Sequence, residues 1–240
     1  MFNWFQSAKF ENFLEIDIHS HLLPGIDDGV QTIDESIDII KFFESLGYKK
    51  LITTPHILSG YYPNTPDIIS KKLHELKDAV DKRNIEIEIE AAAEYFLDEQ
   101  FVKSLRNNEK LLTFGDNYIL LETGFMNKPV FLNDVIFELQ AQGYKPVLAH
   151  PERYVYFQED YESVETLSSL GILFQLNALS LKGYYSSNAK RLAEHLMKDH
   201  MIKFIGSDVH NMKQMLVYKS LVKTRKFQQC RQLDLLNSAL

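Results

Sequence analysis

The segment LEIDIHSHLLPGIDDG, residues 14–29, decides the fold, because an apolar run there ends directly in metal-binding residue types. Leu14–Ile18 predicts a strand, and His19, Ser20 and His21 follow it. Alternate residues of a strand point to the same side, so His19 and His21 can bind one metal ion together. The segment therefore predicts a strand that delivers two imidazoles to a shared site.

The same arrangement of an apolar run followed by a helical pattern recurs along the chain. The further runs are Lys50–Thr53, Ile85–Ala91, Tyr118–Leu121, Pro146–Ala149, Ile172–Leu176 and Ile202–Ile205. Helices are predicted over Ile33–Leu46, from Thr65 to Val80, and over Val130–Gln142, Ala189–Met197 and Met212–Phe227. Strands alternating with helices predict parallel βα units. A closed or nearly closed (β/α)7 barrel fits the length best, with an open α/β sheet as the alternative.

Composition narrows the class of protein. The 240 residues suit a single domain over residues 14–240, with residues 1–13 as an N-terminal arm. The net charge of -7 argues against a nucleic-acid or membrane-surface binder. Cys230 is the sole cysteine, which excludes an internal disulfide and favours a reducing compartment. With no long apolar run, we expect a cytoplasmic protein without membrane insertion.

Polar residues follow nearly every predicted strand. They are His19, His21, His56, Glu94, Glu122, His150, Asp208 and His210. In a barrel, the carboxyl ends of the strands meet at one mouth, where active sites are built. The remaining histidines, His74, His195 and His200, lie in or beside predicted helices and are expected to be ordinary helix residues. A purely structural role is the alternative for the strand-end set, but its repeated position favours a shared metal site.

This set of ligand types predicts the chemistry. Imidazoles and carboxylates without thiolates suit manganese, iron or zinc in a reactive site. Glu94 and Glu122 can each bridge two ions, and ions about 3.5–4 Å apart can activate a water to attack a phosphoryl group. The segment Ile26-Asp27-Asp28-Gly29 can add a carboxylate ligand, with an ordinary Asp-Gly turn as the equal alternative. Arg153 can bind a phosphate with its guanidinium fork, and a plain surface arginine is the alternative.

The motifs resemble a known family. They are HSHLLPGIDDG at 19–29, TTPH at 53–56, AEYF at 93–96, AHPERY at 149–154 and GSDVH at 206–210. In this order they are similar to the polymerase and histidinol phosphatase (PHP) superfamily, and most of all to its bacterial capsule-type tyrosine phosphatases, the CpsB/YwqE group. The likeness extends from about residue 14 to residue 215.

The resemblance implies a distorted (β/α)7 TIM-like barrel, the PHP fold, with two or three divalent ions, usually manganese. Its pattern assigns His19, His21, Glu94 and Asp208 to one ion, Glu94, Glu122 and His150 to a second, and Asp28, His56 and His210 to a third. Arg153 would bind the substrate phosphate. The implied substrate is phosphotyrosine on a bacterial tyrosine kinase that controls capsule or exopolysaccharide assembly.

Two features of the sequence bear on the identity of the substrate. Relatives often carry an arginine soon after the last histidine, whereas this chain has Lys213, which offers a charge without the fork. Four tyrosines near the expected mouth can pack on a phosphotyrosine ring, with ordinary loop tyrosines as the alternative. They are Tyr61, Tyr62, Tyr184 and Tyr185.

Other functions stay open at this point. The same site would suit a small phosphate monoester such as histidinol phosphate, because the metal ions act on the phosphoryl group. A non-catalytic barrel that binds the kinase tail is a further alternative. Cys230 has no arginine six residues later, which argues against a thiolate phosphatase, and the acidic charge argues against a nuclease.

Overall fold

The structure, a computed structural model, describes residues 12–240. Residues 1–11 of the expected N-terminal arm lie outside the described residues. Phe13, the last residue of that arm, packs on Phe227 with 5.1 Å between ring centroids. No helix within residues 12–240 has both the length and the apolar character needed to cross a bilayer.

Strands and helices alternate along the described chain. The strands are Ile16–Asp17 (β1), Lys50–Thr53 (β2), His56–Ile57 (β3), Glu88–Ala91 (β4), Glu94–Phe96 (β5), Tyr118–Glu122 (β6), Lys145–Ala149 (β7), Leu173–Asn177 (β8) and Ile202–Gly206 (β9). The helices are Ile33–Ser45 (α1), Pro66–Asp81 (α2), Glu99–Arg106 (α3), Leu132–Ala141 (α4), Val155–Glu159 (α5), Glu162–Ser169 (α6), Ser187–Lys198 (α7), Met212–Leu221 (α8) and Arg225–Gln229 (α9).

All strand pairs between these elements are parallel, in the orders β1-β2-β4 and β3-β5-β6-β7-β8-β9. Only Thr54 and Pro55 separate β2 from β3, and Ala92 and Ala93 separate β4 from β5. The N–H of Ala92 donates to Thr53 O at 2.9 Å, and that of Glu94 donates to Pro55 O at 3.1 Å. The two sheets therefore continue into each other and provide seven strand positions.

Backbone contacts also join the first strand position to the last. Ser20 and Val209 form a parallel bridge just beyond the ends of β1 and β9. The N–H of Asp208 donates to His19 O at 2.7 Å, and that of His21 donates to Val209 O at 3.0 Å. The single-domain α/β fold is confirmed: the strand pattern predicted a (β/α)7 barrel, and the resemblance implied a distorted, TIM-like one.

Lower in the barrel, a side chain fills the seam between β1 and β9. The amide of Asn237 donates to Ile16 O at 3.1 Å and to Ile205 O at 2.8 Å, and its oxygen accepts from the Ile205 N–H at 3.0 Å. Asn237 is 2% exposed. A buried amide with three such bonds replaces the backbone ladder at this seam.

The core has two layers. A small cluster fills the barrel interior, and it consists of Ile18, Ile52, Ala92, Phe114, Leu120, Val147, Ala149 and Phe204. A larger layer lies between strands and helices, where Ile37, Ile40 and Phe43 of α1 are buried as their helical spacing predicts. The interior cluster is contributed largely by the strands and strand ends that lead to the candidate ligands.

Helix boundaries agree with their capping residues. Thr32 and Glu35 form a capping box at α1, and Thr65 caps α2, which begins with Pro66 as predicted. The prediction of one helix over Met212–Phe227 is wrong, because Thr224 is extended and its hydroxyl accepts from Phe227 N–H to start α9.

Other elements differ from the prediction in extent or number. Helices α3, α5 and α6 are additional to those predicted from the sequence. The predicted strand Ile85–Ala91 begins only at Glu88.

Candidate metal centre

The carboxyl ends of the strands bring the predicted metal-binding residues together. His19 and His21 follow β1, His56 begins β3, Glu94 begins β5, Glu122 ends β6, His150 follows β7, and Asp208 and His210 follow β9. Asp28 approaches from the loop after β1. Four overlapping groups have ligand atoms within 4.8 Å of one another: His19, His21 and Glu94; His19, His150 and Asp208; His56, Glu94 and Glu122; His21, Asp28, His56 and His210.

The innermost group lies around the Nε2 atoms of His19 and His21, which are 3.3 Å apart. Glu94 Oε2 lies 3.1 Å from the first and 3.4 Å from the second. Asp208 Oδ1 lies 3.4 Å from both. All four residues are buried. They are the four that the resemblance assigns to one ion, and their donor atoms face a common point.

Glu94 connects this group to a second one. Its Oε1 lies 3.1 Å from His150 Nε2, while its Oε2 lies 3.2 Å from His56 Nδ1. Glu122 is 3.6 Å from His150 and 3.7 Å from His56. A carboxylate whose two oxygens face different imidazoles has the geometry of a bridging ligand.

A third group lies closer to solvent. Asp28 Oδ1 is 3.5 Å from the Nε2 atoms of both His56 and His210. The ring of His210 stacks on that of His21 at 3.9 Å. The Asp28 side chain is 51% exposed, whereas that of His21 is fully buried. This outer group is therefore the one most open to exchange with solvent.

The donor set fits divalent metal ions. The Nδ1 of His56 is buried without a hydrogen bond, although oxygens of Glu94 and Glu122 lie 3.2 and 3.7 Å away. The lone pairs of these atoms face one another, and hydrogen bonds within the set leave them unsatisfied. A shared cation would satisfy them. Nitrogen and oxygen donors without thiolate fit manganese, iron or zinc.

Two polar residues that the resemblance does not assign to an ion fix the orientation of the inner histidines. Gln175 Oε1 accepts from His19 Nδ1 at 2.8 Å, and Asp27 Oδ2 accepts from His21 Nδ1 at 2.8 Å. Each bond leaves the Nε2 lone pair free to face the site. Asp27 also accepts from the N–H groups of His56 and Gly29. The adjacent aspartates thus differ, since Asp27 faces inward and Asp28 faces the mouth.

Burial and mutual charge set the protonation of the site. Burial lowers the pKa of His150 to about 4 and also lowers the pKa of His56, so both are neutral ligands near pH 7. Burial would raise the pKa of Glu94, but the charge of His19 holds it well below its usual range. Burial and the nearby charge of Glu94 raise the pKa of Glu122 well above its usual range. A cation between Glu94 and Glu122 would relieve that repulsion.

The backbone at two strand ends adopts unusual conformations. His150 has φ of 33° and Asp208 has φ of 51°, both in the left-handed region that non-glycine residues rarely occupy. Such conformations are retained at functional sites when the surroundings hold them. Gly206 allows close packing nearby, because a Cβ there would lie 2.6 Å from His19 Cβ and 2.7 Å from Gln175 Nε2.

Arg153 lies at the edge of the inner group. Its Nη1 donates to Asp208 Oδ2 at 2.8 Å, and its guanidinium lies 4.2 Å from the ring of Tyr185 and 4.8 Å from that of Phe125. Asn177 Nδ2 donates to the same Asp208 oxygen at 2.7 Å. Asp208 therefore directs one oxygen to the histidines and the other to Arg153.

The four tyrosines named from the sequence are in different positions. Tyr62 stacks on His56 at 5.7 Å, and Tyr185 lies against Arg153 with its hydroxyl 3.5 Å from Asp208. Tyr61 is 79% exposed, and Tyr184 contacts Tyr185 edge-on. The structure thus brings Tyr62 and Tyr185 into contact with the centre and leaves the other two at its rim.

The helix after the last histidine contacts the site through an unexpected residue. Lys213, the possible replacement for the missing arginine, is exposed in the first turn of α8. Gln214 instead accepts from the His210 N–H at 2.6 Å. Gln214 therefore holds the backbone of a candidate ligand, and Arg153 is the arginine that contacts the centre.

Comparisons with known proteins identify the family. The family described as capsular polysaccharide synthesis, CpsB/CapC, matches residues 15–225. The putative tyrosine-protein phosphatase CapC of Staphylococcus aureus is 30% identical over 212 residues, covering 88% of this chain and 83% of that protein.

Solved structures agree with this assignment. The crystal structures of YwqE from Bacillus subtilis and CpsB from Streptococcus pneumoniae are described as those of unique metal-dependent tyrosine phosphatases, and a chain from them matches with a TM-score of 0.77 and 28% identity, covering 91% of this chain and 94% of that one. Histidinol phosphate phosphatase from Lactococcus lactis shares the fold, with a TM-score of 0.54 and 12% identity over 90% of this chain and 93% of its own. The chain belongs to the CpsB/CapC family, which confirms the resemblance carried by its sequence motifs.

Proposed function

We propose that this protein is a metal-dependent protein-tyrosine phosphatase that transfers the phosphoryl group of phosphotyrosine to water. The observation that carries the proposal is the convergence of nine nitrogen and oxygen ligands on one mouth beside Arg153. The family relatives described as tyrosine-protein phosphatases support the same activity. The proposed substrate is a phosphotyrosyl protein, namely the tail of a bacterial tyrosine kinase of capsule assembly.

The proposed ligands hold two or three divalent ions, with manganese first and iron or zinc as alternatives. The partition implied by the resemblance agrees with the distances between the side chains: His19, His21, Glu94 and Asp208 would hold one ion, Glu94, Glu122 and His150 a second, and Asp28, His56 and His210 a third. When bound, such ions would polarise the phosphoryl oxygens of the substrate and lower the pKa of a bound water to about 7. Asp27 and Gln175 keep the Nε2 atoms of His21 and His19 directed at the ions.

Arg153 would bind the substrate phosphate. Its guanidinium is held between the rings of Phe125 and Tyr185, and Asp208 accepts from Nη1 alone. The remaining N–H groups of the fork suit the charge that builds on phosphoryl oxygens in the transition state. A guanidinium fixed before the substrate binds loses little conformational entropy on binding.

The chain needs no protein nucleophile for this reaction. Cys230 is buried against Met197, and burial raises the pKa of its thiol to about 12. A thiol of that pKa is protonated near neutral pH and cannot attack phosphorus. Phenolate, whose conjugate acid has a pKa of about 10, is a good leaving group compared with an alkoxide.

A metal-reloading assay tests the proposal. The wild type is stripped with a chelator, reloaded with single divalent metals, and assayed on phosphotyrosyl peptide and histidinol phosphate. Manganese is expected to restore hydrolysis of the peptide, while thiol alkylation leaves it intact. His150→Ala is expected to lose activity by at least about a hundredfold. His195→Ala, on the outside of α7 against Tyr161, is the matched control.

Three results would contradict parts of the proposal. Hydrolysis of histidinol phosphate without hydrolysis of the peptide would make the protein a small-molecule phosphatase. Full metal loading with no hydrolysis of either substrate would indicate a binding protein that has lost its chemistry. Full activity after chelation would remove the metal from the mechanism.

A further inference from the structure

Exposed apolar side chains concentrate around the mouth. Among the described residues, those of this kind in loops that follow strands are Tyr61, Phe125, Met126, Val130 and Tyr184. Val130 is 99% exposed and Met126 is 65% exposed. A group of exposed apolar residues beside a functional site is typical of a surface that binds a partner.

Three of these residues lie in one loop, residues 124–131 between β6 and α4, which we call the lip. β6 ends at the candidate ligand Glu122, so the lip begins two residues from the metal centre. Phe125 stacks on His150 at 5.9 Å and lies over Arg153 at 4.8 Å. Its carbonyl accepts from the Val155 N–H at 2.8 Å, which fixes the base of the lip.

We propose that the lip binds apolar side chains next to the phosphotyrosine of a polypeptide substrate. This inference rests on the proposed function. A phosphate at the ions and Arg153 directs its tyrosyl ring out of the mouth past Phe125, the aromatic wall beside that arginine. Met126 is the next residue, with its Cα about 3.8 Å from that of Phe125, and its side chain is more exposed. The residues flanking the phosphotyrosine therefore meet Met126 and Val130.

The position of the lip favours a polypeptide over a small ester. A small phosphate ester bound at the centre ends near Phe125 and leaves Met126 and Val130 in water. A polypeptide continues beyond the tyrosine and can cover both side chains. Covering them removes apolar surface from water, which is favourable in proportion to the area buried.

Paired substrates measure the role of the lip. One phosphotyrosyl peptide carries leucine on both sides of the phosphotyrosine and a second carries glycine, while phenyl phosphate reports the chemistry alone. For the double variant M126S/V130S, kcat/KM on the leucine peptide is expected to fall about tenfold, equal to about 1.4 kcal/mol, through a higher KM. Its activity on the glycine peptide and on phenyl phosphate is expected to remain that of the wild type.

Leu216→Ser is the matched control, because Leu216 is 53% exposed on α8, outside the loops of the mouth. It is expected to leave all three activities unchanged. If M126S/V130S and the wild type had the same preference for leucine over glycine, the lip would not bind the substrate. A wild-type dimer that the double variant converts to a monomer would assign the lip to self-association, and loss of binding to anionic vesicles would assign it to a membrane.

Loss of the phosphatase activity and loss of the role of the lip would give different results. If the metal-loaded wild type hydrolysed neither phenyl phosphate nor either peptide, the phosphatase itself would be refuted, and the lip proposal with it. If it hydrolysed all three substrates and M126S/V130S changed none of the rates, only the lip proposal would fall.

Discussion

Replacing Asp27 with asparagine tests how far the centre depends on a residue that faces away from the ions. Asp27 Oδ2 accepts from His21 Nδ1 at 2.8 Å and from the His56 N–H at 3.1 Å, while Oδ1 accepts from the Gly29 N–H at 2.9 Å. All three partners are N–H donors. An asparagine in the same place must turn its NH₂ group towards at least one of them, because only one of its side-chain atoms can accept.

The structure gives the size of the effect. A buried N–H that faces another donor, and so lacks an acceptor, destabilises the folded protein by about 1–3 kcal/mol. Asp27 is 8% exposed, so water can replace the lost partner only in part. The loss of a carboxylate behind a metal-binding histidine typically lowers metal affinity or activity about 10–100-fold. We therefore expect Asp27→Asn to weaken manganese binding by that factor, and excess manganese to restore much of the activity.

Activity as a function of manganese concentration, with calorimetric titration of the stripped protein, measures this change. Asp98→Asn is the matched control, since Asp98 likewise accepts from three donors, the N–H groups of Phe101 and Ser59 and the Ser59 hydroxyl, but it does so at the cap of α3. A manganese affinity of Asp27→Asn within twofold of the wild type, in a folded protein, would show that Asp27 does not support His21 as argued.

Three further outcomes follow from the geometry. Arg153→Lys keeps the positive charge but loses the guanidinium fork, so kcat/KM on a phosphotyrosyl peptide should fall about a hundredfold. The metal content, measured by mass spectrometry, should stay constant. An unchanged rate would show that Arg153 does not bind the phosphate. Gly206→Ala places a methyl group 2.6 Å from His19 Cβ, so the free energy of unfolding measured in urea should fall by about 1–3 kcal/mol. A Cβ at Gly124 meets nothing within 4 Å, so Gly124→Ala should leave the free energy of unfolding unchanged. Burial raises the pKa of Asp17 to about 7, although the hydrogen bonds from Ser207 act in the opposite direction. The folded protein therefore binds the Asp17 proton more tightly than the unfolded protein does. This contribution stabilises the metal-free fold at low pH and is lost as pH rises through about 7. Asp17→Asn should therefore flatten the pH dependence of the urea midpoint of metal-free protein, and an unchanged slope would contradict the assigned pKa.

The fold was predictable because the strand pattern is local. Each apolar run of Ile, Leu and Val ends in a polar residue, and parallel βα units place those ends together whatever the loop lengths. Helix α3 is also encoded locally, since Asp98 followed by Phe101 and Leu105 is a capped apolar pattern visible in the sequence. Thr224 marks the break between α8 and α9, and a threonine in a helical pattern carries little signal.

The candidate ligands were predictable and the residues that orient them were not. Gln175 pairs with His19 across 156 positions, and no local pattern encodes that contact. Its position within the apolar strand β8 was nevertheless a usable signal, because buried polar side chains need partners. Asp27 and Asp28 are adjacent and chemically identical, so only the three-dimensional course of the loop separates their roles. The contact of Phe125 with Arg153 likewise depends on two loops that meet only in space.

The seam residue Asn237 has a consequence for refolding. Its amide bonds to Ile16, 221 positions earlier, so this level of the barrel closes only when two segments far apart in sequence meet. Before they meet, the edges of β1 and β9 are unpaired below the mouth, and unpaired strand edges are the surfaces most prone to wrong association. Refolding of Asn237→Ala is therefore expected to yield more aggregate than refolding of the wild type.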